Sequence, residues 1–332
     1  MKPALLPLTY AGEYYDRTMP LFTGEIAPAG VDLRCIHLDI PDLYWRQAKY
    51  PEFDSSEYSL GAHLASVENP DWPYTALPVF LSKTFRQSTI YVRADAGITS
   101  PRDLEGRTIG TTEWSATATL WARGILSDYC QVDIRKIRWR TGGLQVPGRS
   151  EKTRLLDVGF DRAPLPDDMS LVQAFVAGRI DGIVSSLEPK LPHLDGGRLV
   201  RLFPDTRAAD IAYYRATGII PLLHTVILRK DLVAAHPWLA NNLKAAFDRA
   251  QKQANARLFY GGAAGSSLIW EAAHAAEERQ LFGDPFAYGI ENNRKALDAI
   301  CRYAHEQGLT GRLLTLEDLF PVSTLSTTYL YR

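Results

Sequence analysis

Cysteine is scarce in this chain of 332 residues, and neither sign of charge is in excess. Cys35, Cys130 and Cys301 form no CxxC pair and no cysteine–histidine pair at metal-ligand spacing, which argues against a disulfide framework or a zinc motif. So few cysteines predict a reducing, cytoplasmic compartment. Lys and Arg number 37 and Asp and Glu 38, and the resulting net charge of −1 argues against a protein that coats nucleic acid or an anionic membrane.

Long apolar segments and nucleotide- or metal-binding motifs are also missing. No stretch of about 18 apolar residues is present, so no transmembrane helix is expected. The first 18 residues carry prolines, tyrosines and charges and lack the apolar region of a secretory signal, so we expect no leader peptide. The seven histidines show no HxH or HExxH pattern, and neither GxGxxG nor GxxxxGK[ST] occurs. We therefore predict no metal and no other cofactor.

Short strand signals alternate with helical periodicity, and this alternation predicts an α/β fold with a largely parallel sheet. The strands are expected at residues 4–9, 31–38, 76–81, 89–92, 108–111, 137–140, 182–185 and 225–228. The helices are expected at residues 42–49, 57–67, 116–128, 170–177, 238–257, 268–280 and 292–307. A chain of this length has room for about two domains, and its last ~100 residues show almost only helical periodicity.

A crossing between two lobes is indicated near residue 100. Ser100 and Pro101 are typical of the N-cap and first position of a short helix, and a new strand follows at once. A strand, a one-turn helix and a second strand indicate that the chain leaves one lobe and begins another. No linker separates sequential halves, so we expect an inserted lobe II at 94–196 and a discontinuous lobe I at 1–93 and 197–332.

Motifs spread from residue 14 to 294 carry a resemblance to a known family. They are YYDRTMPLFTGEI, EFDSSEYSL, ALPVFLSKTFRQSTIYV, GITSPRDLEGRTIGTTEWSATATLWARGIL, IRWRTGG with PGRSEK, TGIIPLLHTVILRKDL, HPWLANNLKAAFDRA and DPFAYGIENNR. Together they resemble the 4,5-dihydroxyphthalate decarboxylase family. The resemblance implies a type II periplasmic-binding-protein-like fold, in which two α/β lobes enclose a ligand cleft. It also implies a cytoplasmic, cofactor-independent lyase of aromatic catabolism that converts 4,5-dihydroxyphthalate, or a close analogue, to 3,4-dihydroxybenzoate and CO2.

Two motifs depart from the family pattern. Phe85-Arg86-Gln87 stands where the family typically has FRH, which removes a histidine from an expected site position. The segment Thr217–His224 reads TGIIPLLH where the family typically has T-G-I/L-F-P-I-M-H. The first departure leaves the substrate's hydroxylation pattern open.

Removal of CO2 from an aromatic ring requires a proton for the ring carbon that bears the carboxylate. The predicted proton donors are His224, whose family counterpart is a motif residue, and Glu113, which would face it across the cleft. A strand-capping histidine and a solvated loop acid are the structural alternatives. Which of the two carries the proton is left open.

Cations are needed for the substrate carboxylates, and the predicted clamps are Arg17 and Arg86, because a guanidinium matches a carboxylate with two hydrogen bonds. The alternative for Arg17 is an ion pair with Asp16. Gln87 is expected to donate to a hydroxyl or a carboxylate. Helix N-termini bind anions, so further substrate contacts are expected at two predicted helix starts and in nearby loops. They are Ser56 and Glu57 before the helix through residue 67, Ser115 (as N-cap) and Thr117, and Gly143 and Thr217.

The main alternative function is a solute-binding protein that delivers a small aromatic or sulfonate ligand to an ABC transporter. Such a receptor would carry a signal peptide or a lipid-anchoring cysteine, and we expect neither. A different enzyme of the same fold, such as a pyrimidine-precursor synthase, should show cysteine- and histidine-rich features of its own. The expected partner is a small aromatic dicarboxylate, with no nucleic acid or membrane. The helical C-terminal third offers surface for a homo-oligomer.

Overall fold

The computed structural model describes residues 4–148, 151, 153–191, 198–259 and 265–326. The strands of this part of the chain are β1 (Leu6–Gly12), β2 (Val31–His37), β3 (Ser55–Ser59), β4 (Tyr74–Lys83), β5 (Ile90–Arg93), β6 (Thr108–Thr111), β7 (Arg138–Thr141), β8 (Arg162–Pro164), β9 (Gly182–Val184), β10 (Leu199–Arg201) and β11 (Leu222–Arg229). The α-helices are α1 (Met19–Phe22), α2 (Ile40–Lys49), α3 (Leu60–Ser66), α4 (Thr117–Asp128), α5 (Leu171–Val176), α6 (Thr206–Thr217), α7 (Lys230–Ala235), α8 (Leu239–Leu258), α9 (Glu271–Phe282), α10 (Arg294–Glu306) and α11 (Leu316–Leu319). Strands and helices thus alternate, as predicted, and β11 is the last strand among the described residues.

The strands form two sheets. The first has the order β2-β1-β3-β11-β4 and the second the order β10-β5-β9-β6-β7-β8. In the first, β1 pairs in parallel with β2 and β3, while β11 is antiparallel to β3 and β4. In the second, β9, β6, β7 and β8 are parallel, and β5 is antiparallel to β9 and β10.

Both sheets are therefore mixed, and the prediction of a largely parallel sheet is wrong for β5 and β11. Each of these strands is the first that the chain forms after it passes from one sheet to the other. Strands β5 and β11 each begin at the edge of the sheet where the parallel strands end, so each is antiparallel to its neighbours. The short helix predicted at Pro101 is present at Pro101–Leu104, with a capping box between Ser100 and Asp103.

The segment around Glu57 differs most from its prediction. A helix was expected to begin there, but Ser55–Ser59 is a strand and α3 begins only at Leu60, with Ser59 as its N-cap. The strand lies between β1 and β11, and all five of its residues are buried. Ser55 Oγ donates to the Ile227 carbonyl of the neighbouring strand β11 at 2.8 Å. Since the strand carries no apolar alternation, its sequence resembles a helix start.

The C-terminal helices hold the two sheets together. On one side, α8 packs Leu243, Phe247 and neighbouring apolar residues against the first sheet. On the other, α10 packs against α4, where the Tyr303 ring lies over Gly124. The Trp121 indole N–H of α4 donates to the Leu222 carbonyl of β11 at 2.8 Å, which fixes α4 to the first sheet.

The predicted lobe boundaries at 93/94 and 196/197 remain a prediction. In the structure, β5 and β10 both belong to the second sheet. Within the described ranges, none of the helices combines the length and apolar character needed to cross a membrane.

Candidate active site

His224 and Glu57 form a hydrogen-bonded pair at one edge of the first sheet. His224 lies near the start of β11, where the pairing is irregular, and opposite Ser59 of β3. Its Nδ1 lies 2.7 Å from Oε1 of Glu57. The Glu57 side chain is fully buried, whereas that of His224 is 20% exposed. The pair therefore joins a buried carboxylate to an imidazole that a small molecule can reach.

Glu57 accepts two further hydrogen bonds from the segment after β1. The Tyr15 hydroxyl donates to Oε1 at 2.8 Å, and the backbone N–H of Glu13 donates to Oε2 at 3.1 Å. Burial and the charge of Glu57 raise the pKa of Tyr15, so its hydroxyl keeps its proton. These donors hold the carboxylate in one orientation toward His224.

Aromatic side chains around this pair were not predicted. The ring of Tyr44 from α2 stands edge-on to the His224 ring, with the centroids 5.4 Å apart. Its buried hydroxyl has no hydrogen-bond partner among the described residues. Of the two tyrosines near the pair, Tyr15 lies in the YYDRT motif, which is a sequence signal that could have identified it. Tyr44 lies in no such motif.

The loop before α4 lies against the same edge. Ser59 Oγ and Thr117 Oγ1 are 2.9 Å apart, and the Gly61 N–H donates to Thr117 Oγ1 at 2.8 Å. A Cβ atom on Gly61 would lie 2.6 Å from the Ser115 carbonyl oxygen, so the close approach requires glycine. The structure thus brings the predicted Ser115 and Thr117 to the edge that carries His224.

Glu113 follows β6 in this loop and is only 5% exposed, so it is not a solvated loop acid. Burial is the main cause of the raised pKa of Tyr58, and the charge of Glu113 adds to it. Tyr58 is the neighbour of Glu57 in β3, so the Glu113 carboxylate acts electrostatically on the same strand. The structure therefore places both predicted proton donors near β3.

Ser115 was predicted to be the N-cap of α4, and this is wrong, because the N-cap is Ala116. The Ser115 hydroxyl and N–H instead bind Oε1 of Glu151, and the Trp114 N–H donates to Oε2 at 2.6 Å. The carboxylate thus draws the serine side chain away from the helix. Trp114 is fully buried, and its indole N–H donates to the Gln307 carbonyl at 2.7 Å, so this ring belongs to the core.

The guanidinium of Arg17 is already engaged. Nε donates to the Leu81 carbonyl at 2.8 Å, with Nη2 on the same oxygen, and Nη1 lies 3.0 Å from Asp16. The group is also within 4.3 Å of the Tyr15 and Phe286 ring centroids. The ion pair with Asp16 is the structural alternative foreseen from the sequence, and the clamp role of Arg17 remains a prediction.

Arg86 and Gln87 lie in the connection between β4 and β5, and both are buried. Arg86 Nε donates to the Thr84 carbonyl at 3.3 Å, and burial lowers the pKa of Arg86 to about 10 despite the nearby Asp210. Burial also raises the pKa of Asp210 to about 7. Gln87 Nε2 is buried and has no partner within the described ranges, so it is available to a ligand or a water molecule.

The remaining predicted contacts lie in different surroundings. Ser56 Oγ is buried in β3 and has no hydrogen-bond partner among the described residues. The Gly143 carbonyl accepts from the Leu171 N–H at the start of α5 at 2.8 Å. The Thr217 hydroxyl donates to the Tyr213 carbonyl at 2.8 Å, which closes the end of α6. The structure does not bring Gly143 or Thr217 into contact with the His224–Glu57 pair.

Among the described residues, one group of side chains could hold a cation. Glu13, His37 and Asp39 offer ligand atoms that all lie within 4.8 Å of one another, beside the segment that binds Glu57. His37 Nε2 is hydrogen-bonded to Glu13 Oε1 at 2.7 Å, and its ring stacks on Tyr14 with the centroids 3.9 Å apart. His37 and Asp39 are exposed. The prediction of no metal is therefore best tested with a chelator.

Comparison with known proteins gives two relatives by sequence, although no family model matches the chain. The 4,5-dihydroxyphthalate decarboxylase of Comamonas testosteroni is 33% identical over 322 residues, which are 96% of this chain and 98% of that protein. The protein of the same name from Pseudomonas putida is 32% identical over 214 residues, which are 64% of this chain and 82% of that protein.

Among solved structures, the periplasmic sulfonate-binding protein SsuA of Methylobacillus flagellatus superposes with a TM-score of 0.50 at 12% identity. The match covers 95% of this chain and 91% of that one. At so low an identity the similarity establishes the fold alone. The architecture is that of the two-lobed periplasmic-binding-protein-like proteins.

Proposed function

The chain belongs to the 4,5-dihydroxyphthalate decarboxylase family, and from this premise we propose that it is a carboxy-lyase that removes CO2 from a hydroxylated phthalate without oxidation. For 4,5-dihydroxyphthalate the products are 3,4-dihydroxybenzoate and CO2. The observation that carries the proposal is the buried Glu57 carboxylate bonded to the reachable His224 imidazole, at the edge of the first sheet where Thr117 contacts Ser59. We further propose a cytoplasmic location, where such catabolic substrates would be met.

The chemistry uses the substrate ring as its own electron sink. A hydroxyl group para to one carboxylate loses its proton and pushes electron density onto the carbon that bears this carboxylate. That carbon takes a proton and becomes tetrahedral. The bond to the carboxylate then breaks, CO2 leaves, and the bonding electron pair restores the aromatic ring. The protein must therefore supply an acid for the carbon and an acceptor for the hydroxyl proton.

Glu57 positions His224 for one of these proton transfers. An ionised carboxylate can only accept, so His224 Nδ1 carries the hydrogen of the 2.7 Å bond. The other ring nitrogen, Nε2, is then the atom that exchanges a proton with the substrate. Tyr15 and the Glu13 N–H keep Glu57 from turning away. In our proposal His224 protonates the ring carbon.

Glu113 is the second group proposed for proton transfer. It lies on the opposing loop, is buried, and acts electrostatically on the strand that holds Glu57. We assign it to the hydroxyl proton, since His224 is assigned to the carbon. The close approach of Thr117 to Ser59 would shield both transfers from water.

Turnover assays of the purified chain test this function. CO2 release and ultraviolet absorbance are followed with hydroxylated phthalates and benzoates, with and without a chelator. We expect turnover of 4,5-dihydroxyphthalate that survives the chelator, and its loss in His224→Gln. Tight binding of these compounds without any CO2 release would instead support the solute-binding alternative.

The assignment of the two proton-transfer groups is tested by CO2 release from two variants at different pH. His224→Gln should abolish CO2 release, whereas Glu113→Gln should retain slow release from a substrate whose hydroxyl is already ionised at high pH. If Glu113→Gln abolishes release at every pH and His224→Gln does not, the two roles are reversed.

A further inference from the structure

The Tyr44 side chain contacts the His224 ring, and the chemistry described above gives it no role. The two rings stand nearly perpendicular, at 87°, with their centroids 5.4 Å apart. This separation lies within the range of about 4.5–7 Å in which edge-to-face aromatic pairs attract each other. Tyr44 is only 9% exposed and the His224 side chain is 20% exposed, so the tyrosine belongs to the protein interior and the imidazole to its boundary.

The hydrogen bond to Glu57 fixes one atom of the His224 ring. Nδ1 lies 2.7 Å from Glu57 Oε1, and within the described ranges the imidazole makes no other hydrogen bond. A ring held at a single atom can still swing about that bond and carry Nε2 away from a substrate. Because proton transfer requires the donor atom within about 2.6–3.2 Å of its partner, a second contact is needed to aim the ring.

Tyr44 is well placed to supply this contact, because its helix is fixed to the strand that carries Glu57. Leu43, Tyr44 and Gln47 are the buried residues of α2. The Gln47 side-chain amide donates to the Phe53 carbonyl and accepts from the Phe53 N–H, both at 3.2 Å. Phe53 lies two residues before β3, so the helix and the strand keep a fixed separation.

A row of buried aromatic rings supports Tyr44. Its ring centroid lies 5.3 Å from that of Tyr58, which in turn lies 5.5 Å from that of Trp72. The Trp72 indole N–H donates to His63 Nδ1 at 3.2 Å. Tyr58 is 3% exposed and Trp72 is 6% exposed, so the row is part of the close-packed core. Tyr44 is therefore a rigid wall for the imidazole.

The hydroxyl group of Tyr44 does not contribute to this wall. It is buried and has no hydrogen-bond partner among the described residues. Burial, and after it the charge of Glu57, raises the pKa of Tyr44, so the hydroxyl keeps its proton. An unsatisfied buried hydroxyl is unfavourable, so its removal should not destabilise the protein. The contribution of Tyr44 is thus assigned to its ring.

We propose that Tyr44 is a positioning residue for proton transfer, whose ring fixes the orientation of the His224 imidazole while Glu57 fixes its tautomer. The inference rests on the function proposed above and deepens it, because it names the second group that aims Nε2. Tyr44 acts through His224 and not through contact with the substrate.

The test compares Tyr44→Phe with Tyr44→Leu. Tyr44→Phe keeps the ring, so kcat and KM for 4,5-dihydroxyphthalate should stay within about twofold of wild type, with an equal or higher urea midpoint. Tyr44→Leu removes the ring, so kcat should fall about tenfold while KM changes less than about threefold. If Tyr44→Leu does not fold, Tyr44→Met repeats the test with a flexible side chain. An unchanged kcat in the folded ringless variant, or a tenfold loss in Tyr44→Phe, overturns the proposal.

Two comparisons separate positioning from a loss of packing. Tyr213→Leu is the matched control, because Tyr213 is 1% exposed and packs edge-on against two aromatic rings, neither of them His224. Its kcat should stay within about threefold of wild type even where stability falls. Glu57→Gln combined with Tyr44→Leu should lower kcat by less than the product of the two single effects, because both act through His224. A combined effect equal to that product contradicts the proposal.

Nuclear magnetic resonance of the His224 ring tests the inference without turnover. Histidine labelled with carbon-13 is incorporated, and the His224 signals are identified by their absence from His224→Gln. We expect one sharp set of ring signals in the wild type and in Tyr44→Phe, and broadened or split signals in Tyr44→Leu. Sharp, unsplit signals in Tyr44→Leu refute the positioning role even if turnover is confirmed. Broadening in Tyr44→Leu supports it even if the wild type releases no CO2, a result that would count against the proposed function alone.

Discussion

Replacing Glu57 by glutamine tests the role of the buried carboxylate. Glutamine keeps the shape of the side chain but removes its charge, and its amide group presents hydrogens where the protein also presents donors. Glu57 accepts from His224, Tyr15 and the Glu13 N–H. A hydrogen bond to a charged group contributes about 1.5–3 kcal/mol, and each 1.4 kcal/mol corresponds to a tenfold change in rate.

We therefore expect Glu57→Gln to lower kcat for 4,5-dihydroxyphthalate roughly 10- to 100-fold, since the imidazole is no longer held in its reactive orientation. KM should change less than kcat, because the Glu57 side chain is fully buried and hydrogen-bonded to His224, which is the more exposed of the two. Steady-state CO2 release measures both constants, and circular dichroism confirms folding. The control is Glu52→Gln, which removes an exposed ion pair with Arg46. A folded Glu57→Gln variant with kcat within threefold of wild type would refute the positioning role.

Three further outcomes are expected. Gly61→Ala should lower kcat/KM at least tenfold and destabilise the fold by about 1–3 kcal/mol, because the alanine Cβ would lie 2.6 Å from the Ser115 carbonyl oxygen. The control is Gly311→Ala, whose Cβ meets only ordinary contacts. Steady-state kinetics and urea unfolding compare the two variants. Tyr15→Phe should lower kcat about tenfold with a small change in KM, and an unaltered kcat would contradict the hydrogen bond's role. Burial lowers the pKa of His63 to about 3, so below about pH 6.5 the unfolded chain binds a proton that the folded chain does not. The free energy of unfolding should therefore decrease as the pH is lowered, by about 1.4 kcal/mol per pH unit between pH 6 and 4. Urea unfolding of His63→Gln should not show this decrease.

The sequence predicted the fold well where apolar periodicity was clear. Most predicted strands and helices are present with ends shifted by a few residues, and Thr108–Thr111 has the bounds expected. The strand Ser55–Ser59 was missed because its stability comes from partners in distant strands, which local periodicity does not report. Helix α6 (Thr206–Thr217) was also missed. Tyr213 is its one buried residue, so the segment has no apolar face that would predict a helix.

The candidate site was predicted in part. His224 and Glu57 were both named, but their contact joins residues 167 positions apart and could not be read from spacing. The engagement of Arg17 by the Leu81 carbonyl is equally non-local. Charge and residue type identify candidates, while tertiary hydrogen bonds decide which cations remain available.

The most direct test of the central claim is the fate of solvent hydrogen during turnover. The purified chain is incubated with 4,5-dihydroxyphthalate in D2O, and the product is examined by proton NMR. Protonation of the ring carbon that loses the carboxylate predicts 3,4-dihydroxybenzoate with one deuterium at C6, formed together with CO2 and abolished in His224→Gln. Product that carries hydrogen at C6, or a chain that binds the substrate and releases no CO2, would contradict the account.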